Sequence, residues 1–66
     1  MREGKVTRLR QERLIRGWSL AKVANMIGVS PTALLQWEME RMTPSVKIAI
    51  RLSKLYRVDI DELFSA

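Results

Sequence analysis

Sixty-six residues without cysteine or histidine admit one small domain. They exclude a disulfide framework, a thiolate metal site and the commonest general base. Apolar packing from 47% hydrophobic residues must supply the stability, and twelve Lys and Arg against seven Asp and Glu give +5, a balance that suits a polyanionic partner.

In chain order, Met1–Gly4 reads as a frayed or arm-like end. No signal-peptide h-region follows Met1, and no apolar run approaches the ~20 residues of a membrane span, so the sequence reads as cytoplasmic. A first helix is expected over about Lys5–Arg16, with Val6, Leu9 and Arg13 or Leu14 on one side, and Gly17 ends it. Ser19 is the natural N-cap of a second helix, whose Val23, Ala24 and Ile27 form one apolar stripe. Gly28 stops that helix, because glycine enters the left-handed C′ conformation without a steric penalty. Val29 is a lone apolar plug in the turn, and Ser30 caps a third helix with Pro31 at its first position. Leu34 and Trp37 fall on the inner face of that helix. Pro31, Thr32, Leu35, Gln36 and Met39 are left on the outer one. Ser45 after Pro44 caps a fourth helix with Ile48, Ala49, Leu52 and Leu55 as its buried stripe. Asp59 and Glu62 have capping-box spacing ahead of Leu63 and Phe64 in a short fifth. Trp18, Trp37, Tyr56 and Phe64 read as core or interface aromatics, with base stacking the alternative for the two tryptophans.

Caps, glycine turn and small-residue contact over residues 19–38 make a helix-turn-helix, a unit whose second helix commonly enters the DNA major groove. The charge agrees: residues 1–18 carry +4, residues 19–56 carry +3 and residues 57–66 carry −2. The outer face of the third helix supplies the candidate base contacts Thr32, Ala33, Leu35 and Gln36. The Gln36 amide can pair bidentately with adenine, Thr32 offers a hydroxyl and a methyl, and Ala33 and Leu35 could meet thymine methyls. Ser19, Lys22, Ser30, Pro31, Arg41, Thr43 and Lys47 are the candidate backbone contacts, near helix N-termini or in the loop after the third helix. Nothing points to a cofactor, a metal or catalysis: there is no Gly-rich phosphate loop and no paired acids on one face.

The chain resembles the lambda-repressor-like domain of the Xre/Cro family of DNA-binding regulators. The matching residues are Arg13-x-x-x-Gly17-x-Ser19, Val23-Ala24, Ile27-Gly28-Val29-Ser30, Trp37-Glu38, Pro44-Ser45 and the run from Leu52 through Tyr56, Val58, Ile60 and Asp61 to Leu63-Phe64. This resemblance implies an all-α, compact five-helix domain over residues 1–66, dimeric binding to double-stranded operator DNA, and no catalysis. It also implies a structural ion pair between Arg13 and Glu38, tying the first helix to the third. Three positions depart from the family: Leu20 where glutamine often contacts phosphate, Lys22 in place of the capping carboxylate, and Glu40 in place of a glycine. The outer face of the third helix carries no Arg or Lys, so strong guanine readout is not expected from it. With no further segment to pair two copies, Val58, Ile60, Leu63 and Phe64 are the candidate dimer contacts. The alternative is an antitoxin-like or antagonist protein-interaction module, with Leu20, Leu35, Met39 and Met42 as its apolar patch.

Overall fold

A computed structural model describes residues 6–64, so the expected frayed end Met1–Gly4 and the first-helix residue Lys5 lie outside the described residues. Five helices follow in order: α1 Arg8–Ile15, α2 Leu20–Ile27, α3 Pro31–Glu38, α4 Val46–Tyr56 and α5 Ile60–Phe64. The described residues contain no strand. None of the helices is long and apolar enough to cross a membrane.

The first helix begins later than its apolar pattern suggests. Thr7 is extended (φ −65°, ψ 156°), and its hydroxyl oxygen accepts the backbone N–H of Arg10 at 3.2 Å. That local bond ends the helix on its N-terminal side. Val6 therefore precedes α1 and is exposed, while Leu14 stands about 140° around the helix from Leu9 and faces solvent too. The inner face continues instead from Leu9 into Glu12 and Arg13, both buried.

Leu9, Val23, Ala24, Ile27, Leu34, Leu52, Tyr56 and Leu63 form one shared core. Val29 plugs back against it as expected, and Trp18, Leu20, Trp37, Ile48, Leu55, Val58 and Phe64 also pack there partly buried. Leu63 is only 3% exposed, so it is a core residue and is withdrawn from the candidate dimer surface. The Asp59–Glu62 capping box is not made in the expected form. The Asp59 carbonyl accepts both the Glu62 and Leu63 N–H groups at 3.0 Å, while the Glu62 carboxylate turns toward Arg8, 3.9 Å away.

Arg16 fastens α1 to the end of α4. Its guanidinium lies 5.0 Å from the Tyr56 ring centre and 5.7 Å from that of Trp18, the two rings being stacked 6.3 Å apart. It also donates to the Tyr56 carbonyl at 3.0 Å and to the Glu12 carboxylate at 2.7 Å. Arg8 binds the same carboxylate at 2.6 Å, and the two arginines hold Glu12 below its ordinary carboxylate range. The Tyr56 hydroxyl is buried with no hydrogen-bond partner among the described residues. Burial, aided by the nearby Glu38 charge, pushes its pKa up to about 12.

Tyr56→Phe should therefore be neutral or stabilising by about 1 kcal/mol, since it removes a buried unpaired group. An unfolded tyrosine ionises near pH 10 and the folded one at about 12. Above pH 10 the unfolded state sheds its proton first, so wild-type stability falls as pH rises toward 12. The phenylalanine variant should lack that component. Denaturant melts at pH 7, 10 and 11 measure both effects, and a loss above about 1 kcal/mol at pH 7 would show that the hydroxyl has a partner.

Candidate nucleic-acid interface

The outward side of α3 is set by the way the two preceding turns are closed. Ser19 Oγ accepts the Lys22 N–H at 3.0 Å and opens α2. Gly28 closes it in the left-handed conformation (φ 77°, ψ 37°), and the Val29 N–H donates back to the Ala24 carbonyl at 2.9 Å. Arg51, reaching across from α4, donates to the Ile27 carbonyl at 3.0 Å and satisfies another orphan acceptor of α2. Ser30 Oγ accepts the Ala33 N–H at 3.1 Å, with Pro31 in the first turn of α3. Both caps spend an acceptor lone pair here, and their hydroxyl protons stay available.

Leu34 and Glu38 are the buried residues of α3, one turn apart, and Trp37 is half-buried against the core. Pro31 and Thr32 are exposed, while Ala33, Leu35 and Gln36 are half-buried. Thr32 and Gln36, four apart, lie on one stripe of the outer face. The helix ends at Glu38, and Met39, placed on its outer face by the sequence pattern, is its C-cap.

Glu38 is the anchor of α3. Its carboxylate accepts from Arg13 Nε at 2.7 Å and Nη2 at 2.9 Å, a two-pronged pair with both residues buried. The third edge of the same guanidinium donates to the Trp18 carbonyl at 3.0 Å, joining the α1–α2 turn to the pair. The Glu38 hydrogen bonds raise the Arg13 pKa above its ordinary value despite burial. Thr7 Oγ1 adds a fourth bond, donating to the Glu38 main-chain carbonyl at 2.9 Å.

A helix-turn-helix family model matches residues 9–63, which take in α2, α3 and α4 whole and all but one residue each of α1 and α5. The chain belongs to the Xre/lambda-repressor-like helix-turn-helix family. No curated protein and no solved structure matches it. Membership makes it a helix-turn-helix of the DNA-binding regulatory kind, which is not a family of enzymes.

The departures from the family pattern have visible structural outcomes. Leu20 packs against the core, so this position contributes burial where glutamine would reach for a phosphate. Glu40 holds a left-handed backbone (φ 61°) in the loop after α3, bracketed by Glu40 N–H to Trp37 carbonyl (3.1 Å) and Arg41 N–H to Gln36 carbonyl (2.9 Å). A side chain there costs about 1–2 kcal/mol that glycine avoids. Glu40→Gly should raise stability by about 0.5–1 kcal/mol, the extra unfolded-state freedom of glycine offsetting part of the relief. Thermal unfolding checks the sign. A destabilised variant would mean that the Glu40 side chain makes a compensating contact.

All seven candidate backbone contacts, Ser19, Lys22, Ser30, Pro31, Arg41, Thr43 and Lys47, are exposed. The ion pairs among the described residues use Arg8, Arg13 and Arg16. Much of the basic charge of α1 is thus matched internally by Glu12 and Glu38. Among the described residues, the cations outside these pairs are Arg10 on α1, Lys22 on α2, Arg41 in the loop, Lys47, Arg51 and Lys54 along α4, and Arg57 at its end. Sequence reasoning missed Thr7, Glu12 and Arg16. The spacing of Arg8, Glu12 and Arg16 was a readable i,i+4 pattern, whereas the reach of Thr7 to Glu38 had no signal in the sequence.

Proposed function

We propose that the protein is a transcriptional repressor that binds double-stranded operator DNA sequence-specifically, as a homodimer in the cytoplasm, with α3 inserted in the major groove. The observation that carries this reading is the two-sidedness of α3. Its inner side is pinned through Glu38, while Thr32 and Gln36 share an outer stripe and the seven candidate phosphate contacts are all exposed. In this reading Thr32, Ala33, Leu35 and Gln36 meet base edges. Ser19, Lys22, Ser30, Pro31, Arg41, Thr43 and Lys47 hold the sugar-phosphate backbone.

Dimerisation follows from reach. The eight residues of α3 span about 12 Å, too little for a specific site alone, whereas a two-fold pair sets two such helices about 34 Å apart. Ile60, exposed on α5, and the half-buried Val58 and Phe64 remain as pairing candidates. Of the apolar patch that the protein-interaction alternative would use, Leu20 and Leu35 are half-buried and Met39 and Met42 are exposed.

Selection of bound sites from a random duplex pool tests the proposal. The expected product is an inverted repeat with half-sites one helical turn apart. Arg41→Ala should weaken every duplex alike and lower the salt slope by about 1.8, roughly 0.9 from each protomer. No enrichment, together with no gel shift of random duplex at low salt, overturns it in favour of a protein partner.

A further inference from the structure

We propose that Thr7 is a positioning residue for DNA recognition, its single hydroxyl setting how far the last turn of α3 stands from α1. The inference rests on the operator-binding reading above. The Thr7 oxygen accepts the Arg10 N–H at 3.2 Å, which caps the start of α1. Its proton goes to the Glu38 carbonyl at 2.9 Å, thirty-one residues away in the chain. One hydroxyl thus satisfies an orphan donor at one helix end and an orphan acceptor at another. The Arg13 fork already fixes the Glu38 side chain, and a fork alone leaves the main chain free to pivot about it. The Thr7 bond removes that pivot at the residue where α3 ends. The next residues, Met39 to Thr43, form the loop that carries Arg41 and Thr43. A pivot at Glu38 would therefore shift the Gln36 amide and that loop together.

Two substitutions separate the two bonds. Thr7→Ser keeps both. Thr7→Asp keeps the cap, since aspartate is a strong N-cap acceptor, but at neutral pH it has no proton to give the Glu38 carbonyl. The readouts are the ratio of specific to non-specific duplex affinity and residue-resolved amide exchange. The ratio cancels the uniform repulsion of an added negative charge. Thr7→Asp should lower it about fivefold, the scale of one net hydrogen bond lost from preorganisation. It should also speed exchange at the Met39 and Arg41 amides while leaving Gln11 in α1 protected. Thr7→Ser should match wild type within twofold in both.

The proposal is overturned if Thr7→Asp keeps the wild-type ratio and exchange pattern. It also falls if exchange accelerates equally in every helix, or if Thr7→Ser fails as badly as Thr7→Asp. Should wild-type protein enrich no duplex at all, the operator reading fails by itself, and the exchange pattern still decides whether Thr7 holds the end of α3.

Discussion

Arg13→Ala is expected to cost about 3–5 kcal/mol, because it strands the buried Glu38 carboxylate without its partner. The geometry puts the pair at the strong end of that range: two short charge-assisted bonds on a residue only 2% exposed. Stability of roughly 0.05–0.15 kcal/mol per residue gives a domain this size about 3–10 kcal/mol in total. The variant should therefore lose from about a third to all of the domain's stability. Replacing both partners by apolar side chains, Arg13→Met with Glu38→Leu, should recover much of the loss, since neither charge then has to be buried. Urea denaturation of Arg13→Met, Glu38→Leu and the double variant gives the coupling directly. A loss below about 1 kcal/mol for Arg13→Ala would mean that the pair behaves as a solvated surface contact.

Gln36→Ala should relax preference at one base pair of each half-site by about 1–3 kcal/mol, leaving the fold intact. Gln36 lies on the outer stripe with Thr32, opposite the buried Leu34 and Glu38. Its side chain is half-buried in the free protein, so less of its freedom remains to be lost on binding. Site selection repeated with the variant reads the effect as degeneracy at that position. An unchanged selected site would remove Gln36 from base recognition and move the burden to Thr32 and Ala33.

Much of the framework is written in local chemistry. Ser19, Ser30 and Ser45 each cap the expected helix, Gly28 takes the left-handed turn, and Val23, Ala24, Ile27, Leu34 and Leu52 are buried on the expected faces. Such features depend on neighbours within one helical turn, which is why pattern and cap reveal them. The Arg13–Glu38 pair was legible only through the family resemblance, since its partners are 25 residues apart. What escaped is long-range or competitive. Thr7 displaced the start of α1 because its side chain outbid the helical backbone. Leu63 faced the core because α5 packs between α1 and α4, and Glu62 left its cap for Arg8. At the candidate interface, residue types identified the outer stripe, but the pairing of Arg8, Arg13 and Arg16 with internal carboxylates needed coordinates.

The fastening of α3 at its Glu38 heel has a consequence for how such a protein could change its target. Thr32 and Gln36 contribute little to what keeps the chain folded, so new side chains at these two sites should be accepted with small stability penalties. A library randomised there, screened first for solubility and then against altered half-sites, should yield many well-behaved proteins with rewritten preferences. Variation at Arg13 or Glu38 should instead be purged at the first screen, whatever sequence is offered as bait.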